Sequence, residues 1–314
     1  MPKFTVHHTT TYTYESTVYD SANQIMLFPI KDKFQEVVEH QLKITGDPLV
    51  DVFTDYYGNE VGTFTHPESH NLLKIESIII VNVKKRSMPD TSMFLQDQWS
   101  SLKYLATQVP YINFLKQENF KTQEEILAVI NPSQRQKNTP FEVAKYLCDY
   151  VYKNFKYIKG ITTVETTVDE IWKLKSGVCQ DFAHILLVML RYMDIPARYV
   201  SGYICPNKNG MRGEGATHAW VEAFLPDYGW LGLDPTNNCL VDDTHVRLAV
   251  GRNFVDCSPV KGTYKGTSKH KLEVKVSVSY ENDPIPLLSD DADISEHDAP
   301  VNSYRKFMEF QQQQ

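Results

Sequence analysis

Gly177-Val178-Cys179-Gln180-Asp181-Phe182-Ala183-His184 marks the point where turn-forming sequence gives way to a helix. Ser176 stands just before the cysteine, and Asp181 falls in the first turn. Phe182, Ala183, Leu186, Leu187 and Leu190 then form an apolar stripe at helical spacing. Asp194-Ile195-Pro196 ends the segment, so Cys179 opens a core helix. A thiol attacks as the thiolate, a form favoured by the positive end of a helix and by a neighbouring imidazolium. The unpaired N–H groups of the same turn can also face a developing oxyanion, where one donor is worth about 3–4 kcal/mol. Read alone, the segment fits equally well a buried cysteine that merely starts a core helix.

A nucleophile needs a base, and two histidines compete for that role. His184 lies one turn and more beyond Cys179, which rotates it about 140° away, so it reads as a structural residue. His218 opens an alternating strand in which His218, Trp220, Glu222 and Phe224 share one face and Ala219, Val221, Ala223 and Leu225 the other. It follows a loop, residues 206–215, rich in Gly and Asn and therefore expected to be mobile. Asp234 ends the next strand, in Gly229-Trp230-Leu231-Gly232-Leu233-Asp234-Pro235. A hairpin through Pro226, Asp227 and Gly229 lays that strand beside the one carrying His218. Singly, His218 is a half-exposed strand residue and Asp234 a turn residue before proline. In chain order, a helix-start Cys, a strand-start His and a strand-end Asp match the nucleophile, base and orienter of covalent acyl transfer.

Upstream the pattern divides. Residues 1–90 read as short strands: the alternation at Phe4, Val6 and His8, the Thr/Tyr run to Tyr14, and segments near 42–44, 50–53, 61–64 and 72–83. From 91 to 157 the apolar period becomes helical, as at Ile126, Val129 and Ile130, then Val143, Leu147, Tyr150 and Val151. Asn138-Thr139-Pro140 supplies the cap and first residue of the last of these helices. Trp172, Trp220 and Trp230 are expected in the core or in the wall of a cleft. Downstream, residues 281–300 hold seven acidic residues and neither Lys nor Arg, which reads as a flexible, solvated tail over 281–314.

These motifs resemble those of the transglutaminase-like superfamily. GVCQDFAH, IPARYVSGY, THAWVEAFLPDYGW and DPTN follow one another as in its bacterial branch with an N-terminal β domain, and GRNFVDCSPVKG extends the likeness to about residue 262. The resemblance implies an α+β fold: a papain-like core preceded by an antiparallel β-sandwich domain. The expected organisation is a β domain over 1–90 and a catalytic domain over 91–280, with a helical lead-in to 157 and a Cys-His-Asp core over 158–262. The resemblance also places the nucleophile on Cys179, the base on His218 and the third member on Asp234. Crosslinking members usually carry Trp directly after the cysteine, where this chain has Gln180, and the carboxylate-rich calcium sites of animal crosslinkers are not recognisable. The expected activity is therefore that of a peptidase or amidohydrolase. The alternatives are a protein-glutamine transglutaminase and a non-catalytic peptide-binding relative. Tyr157 and Gln180 are candidates for a second oxyanion donor.

Bulk properties narrow the remaining classes. A net charge of −7 gives no basic field for nucleic acid. No apolar run is long enough to span a bilayer, and the N-terminus lacks the apolar region of a signal peptide, so a cytoplasmic location is expected. The five cysteines form no CxxC pair, which argues against a disulfide framework and a zinc site. A metal module built from Cys179, Cys205 and His218 lacks ligand spacing and a clear fourth ligand. No cofactor or metal is expected, and the partner is a peptide or protein substrate rather than nucleic acid or membrane.

Overall fold

The computed structural model describes residues 1–89, 93–117, 120–205, 211–213 and 216–280, and the backbone of Asp293–Glu296. Five strands come first: β1 (Lys3–Ile25), β2 (Gln35–Ile44), β3 (Asp51–Thr54), β4 (Glu60–His66) and β5 (His70–Val83). Helices α1 (Leu95–Leu105), α2 (Tyr111–Leu115), α3 (Gln123–Ile130) and α4 (Pro140–Asn154) follow. A short strand β6 (Lys156–Tyr157), helix α5 (Val168–Leu174) and strand β7 (Ser176–Gly177) lead to the central helix α6 (Cys179–Tyr192). Beyond it run β8 (Ala197–Ile204), β9 (Thr217–Leu225), β10 (Gly229–Asp234), β11 (Cys239–Leu240), β12 (His245–Gly251), α7 (Phe254–Cys257), β13 (Val260–Lys265), β14 (His270–Tyr280) and β15 (Asp293–Glu296).

The two layers of the expected sandwich are continuous through β1. Its first half pairs antiparallel with β5 and β14, and its last residues with β4 and β13. The strand turns between them where the register with β5 shifts between Thr13 and Val18, and where Asp20 takes a left-handed φ of 48°. The result is one curled antiparallel sheet. Strands β13 and β14 belong to it, although the sequence reading grouped residues up to 280 with the catalytic unit. The acidic segment 281–314 lies outside the described residues except for the backbone of β15, which pairs with β14.

The second sheet has the order β11-β10-β9-β8-β12, antiparallel throughout. Its α6-facing side carries the small and branched residues of one β9 face, Ala219, Val221, Ala223 and Leu225, together with Leu231 and Leu233. Against them lies α6, whose Phe182, Ile185, Leu186, Met189 and Leu190 are fully buried. Each such side chain contributes about 1.5–3 kcal/mol by leaving water, so the helix is held by packing on several sides rather than by propensity. Its C-terminal turn is fixed by Arg191, whose buried guanidinium donates to the carbonyls of Phe114 and Ala197. The flanking helices begin as their sequences require. Thr139 and Glu142 form a capping box ahead of α4, with Pro140 at its first position, and Thr167 and Glu170 do the same for α5.

The curled sheet packs against the ends of β8 and β12. Tyr203 of β8 and the Cys205 that follows it, with Val246 and Leu248 of β12, share one apolar core with Phe4, Val6, Ile75 and Ile79. On the face turned away from α6, Trp220 packs with Val200, Val241 and Val250, against Ile30 and Tyr57. The central sheet is thus covered on both faces, and the starts and ends of its strands form the place where helix and sheet meet.

Candidate active site

The N-terminus of α6 is set by a carboxylate. Ser176 donates to the carbonyl of Leu174 and takes no part in capping. Asp181 Oδ2 instead accepts from the N–H of Val178 at 2.7 Å and from Thr162 Oγ1 at 2.7 Å. The carboxylate sits so close to Gly177 that a Cβ there would run into it, which is why the residue two before the cysteine is glycine. Burial raises the Asp181 pKa against the two hydrogen bonds that favour its charge. The chain leading to the helix is clamped as well: β7 runs parallel to β6, with Tyr157 opposite Gly177, and the N–H of Ile158 donates to Gly177 O at 2.9 Å. Cys179 is the first helical residue and half-buried; its N–H and that of Gln180 belong to the first turn, where amides have no carbonyl four residues back.

The three residues singled out in the sequence come together here. His218, at the start of β9, directs Nε2 to Asp234 Oδ2 at 2.8 Å, and both side chains are fully buried. The β9–β10 hairpin accounts for this, since the register that pairs Val221 with Leu233 brings the start of one strand beside the end of the other. Nδ1 of His218 carries no formed hydrogen bond. The Cys179 thiol stands beside the ring, close enough to favour its protonated form. With Nε2 committed to Asp234, Nδ1 is the nitrogen left to serve the sulfur.

The electrostatics of the pair follow from its partners. Burial opposes a charge on His218, but the Asp234 carboxylate, through charge and hydrogen bond, and the Cys179 thiol outweigh it. The imidazole pKa is pushed up to about 10. Burial likewise opposes the Asp234 charge, and His218 and His245 together overcome it, holding the carboxyl well below the usual carboxylate range. The pair is an imidazolium facing a carboxylate.

Asp234 has further partners. Oδ1 accepts from the N–H groups of Thr236 at 2.9 Å and Asn237 at 3.3 Å, and Oδ2 also accepts from Asn237 Nδ2 at 2.8 Å. Asn237 reaches on to the loop before β9, where its Oδ1 accepts from the N–H of Arg212 and its Nδ2 donates to Arg212 O. That loop segment passes over the imidazole: at Gly213, with φ of 85°, an added Cβ would lie 2.7 Å from His218 Nδ1. The rest of the loop, 206–210 and 214–215, lies outside the described residues.

His245 was not singled out in the sequence. Its Nε2 lies 3.4 Å from Asp234 Oδ2. The one available signal was the run His245-Val246-Arg247-Leu248-Ala249-Val250 after two aspartates and a threonine, a short strand with a histidine at its start, as at His218. His184, expected to be structural, accepts the N–H of Phe254 on Nε2 at 3.2 Å and packs on Tyr199. Burial and then Arg191 lower its pKa to about 4, so it stays neutral.

Of the other cysteines, Cys148, Cys205 and Cys257 are buried, and burial pushes their thiols well above the ordinary range. Burial and the nearby Asp234 take Cys239 up to about 12. Cys205 belongs to the core shared with the curled sheet, whereas Cys179 packs against the core around α6. Among the described residues, the group whose chemistry suits a metal is His218, Asp234 and His245, with ligand atoms within 4.8 Å of one another. Both imidazole Nε2 atoms are directed at one carboxylate oxygen, so an ion there would displace both hydrogen bonds. The donors are occupied by each other.

A helix-start thiol facing a buried imidazole and carboxylate across the end of an antiparallel sheet defines a papain-like α+β core. The chain belongs to the transglutaminase-like superfamily: residues 128–235 match the model of that superfamily, and residues 4–82 match the bacterial transglutaminase-like N-terminal region. An uncharacterized protein of Mycobacterium tuberculosis (strain H37Rv) is 33% identical over 296 residues, covering 88% of this chain and 92% of the relative. An uncharacterized protein of Mycobacterium leprae is 29% identical over 282 residues, covering 89% and 99%. A crystal structure from Cytophaga hutchinsonii, of a protein assigned provisionally to the cysteine proteases, superposes with a TM-score of 0.70 at 18% identity, covering 94% of this chain and 98% of that one. A protein-glutamine gamma-glutamyltransferase of Pseudomonas aeruginosa is 36% identical over 101 residues, or 30% of this chain and 15% of that protein. Among the described residues no helix is long and apolar enough to cross a membrane.

Proposed function

We propose that the chain is a cysteine-nucleophile amidohydrolase or peptidase, with Cys179 as nucleophile, His218 as proton carrier and Asp234 as the group that orients it. The observation that carries this reading is the buried His218–Asp234 pair at 2.8 Å, with the remaining ring nitrogen turned to a thiol at a helix start. A scaffold has no need of this combination, because a buried ion pair is weak evidence of stability in its own right.

The reaction follows from the protonation states. The Cys179 thiolate attacks the carbonyl carbon of an amide or peptide, and the oxyanion faces first-turn N–H groups of α6. Imidazolium His218 gives its proton to the departing amine, leaving a thioester and a neutral ring. That ring takes a proton from water as the oxygen attacks the thioester, and collapse expels the thiolate and a carboxylic acid. Asp234 keeps its charge throughout and holds the ring in one tautomer. A peptide or protein substrate and a cytoplasmic setting belong to the same proposal.

Gln180 directly after the nucleophile favours water over an amine in the second step. The name of the Pseudomonas aeruginosa relative supports the other reading, in which a lysine amine takes the acyl group. The two differ only in the acceptor, so incorporation of a labelled amine measured against hydrolysis of the same peptide separates them. The test of the site itself is alkylation by iodoacetamide across pH in wild type and His218→Ala. Cys179 should react at pH 6 much faster than the other four cysteines, and the substitution should abolish that advantage. Equal, ordinary reactivity in both proteins would sink the enzyme reading and move the binding-protein alternative ahead.

A further inference from the structure

Strand β12, which begins at His245, is separated from β10 by β9 and β8. Yet His245 Nε2 reaches Asp234 Oδ2 at 3.4 Å. The connection that makes this possible is tied down on both sides: Val241 donates to Gly232 O, and the carbonyl of Thr244 accepts from Cys205. The rings of His218 and His245 stand 6.3 Å apart, and Trp220 packs beside both, 5.1 Å from the ring of His245 at 78° and 6.1 Å from that of His218. His245 is buried, and its backbone N–H donates to Asp242 O.

The protonation of His245 follows from its partners. Nδ1 lies 3.1 Å from the Thr244 hydroxyl, a group able to donate, while Nε2 faces a carboxylate that can only accept. The charged groups acting on the ring are Asp234, His218 and Arg86; burial disfavours its charge most, Asp234 opposes this, and the two cations add to it. The ring is a neutral N–H donor. One carboxylate oxygen therefore serves a protonated imidazole and a neutral one.

Resting on the triad reading above, we propose that His245 is a positioning residue for the reaction. It fixes the Asp234 carboxylate in the orientation that meets His218, and by sharing Oδ2 it limits how strongly that carboxylate retains the His218 proton. A second imidazole in this place has a use that a guanidinium would not. A permanent cation would neutralise Asp234, whereas a neutral donor steadies it and leaves its charge available to His218.

The test compares His245→Gln, whose amide can reach where Nε2 reaches, with His245→Asn, which is too short, and His245→Phe, which keeps a ring without a donor. The rate of Cys179 alkylation at pH 6 and the NMR titration of His218 are read in each. The expected result is near wild-type behaviour for Gln. Asn and Phe should lose reactivity by about ten- to a hundredfold through misplacement of the pair, and the His218 midpoint should move upward. If Phe does not fold, the contrast between Gln and Asn decides. Equal effects of all variants on rate, with no movement of the His218 midpoint, would reduce His245 to a packing residue while leaving the triad intact. Absence of fast, His218-dependent alkylation in the wild type would instead remove the triad, and this proposal with it.

Discussion

Asp234 and Glu222 are both buried carboxylates on the face of the central sheet turned away from α6, a short distance apart along the β9–β10 hairpin. Glu222 Oε2 receives Arg198 Nε at 2.8 Å and Nη2 at 2.6 Å, and its other oxygen faces Arg86 at 3.4 Å and Arg247 at 3.7 Å. Arg247 also reaches Asp32 at 2.6 Å, ahead of the second strand of the curled sheet. Burial would raise the Glu222 pKa, but the three guanidiniums outweigh it and bring it down to about 2. Asp234 is held low in the same way, by imidazoles. The partner makes the difference. A guanidinium never gives up its proton under ordinary conditions, so the Glu222 cluster can only hold the two halves of the protein together. An imidazole can release and regain its proton, so the same burial around Asp234 yields a site able to move one.

Exchanging each carboxylate for its amide separates the two roles. Asp234→Asn should lower hydrolytic activity by about ten-thousandfold, because the amide no longer fixes the tautomer, while circular dichroism stays that of the wild type. Glu222→Gln should do the reverse. It leaves buried guanidiniums short of a counter-charge and should cost about 3–5 kcal/mol in urea unfolding, with Cys179 alkylation per folded molecule retained. Loss of folding in both, or of alkylation in both, would erase the distinction.

The pH dependence of stability should carry opposite signs in the two regions. The Glu222 pKa is lowered on folding, so its contribution is present above about pH 4.5 and fades as pH falls toward 2. That contribution is about 3 kcal/mol, and Glu222→Gln should lack this slope. The His218 pKa is raised, so its contribution is present below pH 6.5 and is lost as pH rises toward about 10. Thermal melts of His218→Gln should miss that alkaline decline; a wild type whose stability is flat over this interval would argue against an ion pair. The smallest effect concerns the helix start. Thr162→Val removes one of the two hydrogen bonds to Asp181 and should cost about 1 kcal/mol, with a modest drop in alkylation rate.

How much of this could be read beforehand depended on the distance over which each feature is encoded. The stripe from Phe182 to Leu190, the alternation from His218 to Leu225 and the short hairpin to Asp234 are local patterns, and each reappears as the element it suggested. The cap of α6 is not legible locally, because it takes glycine at 177 for the Asp181 carboxylate to reach back to the Val178 N–H. Strands β13 and β14 fall within the span 91–280 expected for the catalytic domain, yet they pair with β1. Nothing local tells β14 that its partner is β1, from the other end of the chain.

The sequence by itself determined the fold class, the order of helix, strand and hairpin, and the identity of Cys179, His218 and Asp234 as candidates, since side-chain period and turn chemistry act over a few residues. Only the tertiary structure decided that β1 joins both ends of the chain in one curled sheet, and that Glu222 is locked among three arginines. It alone brought His245 across two strands to Asp234. Those facts depend on which distant surfaces exclude water together, and burial of that kind leaves no spacing in the sequence to read.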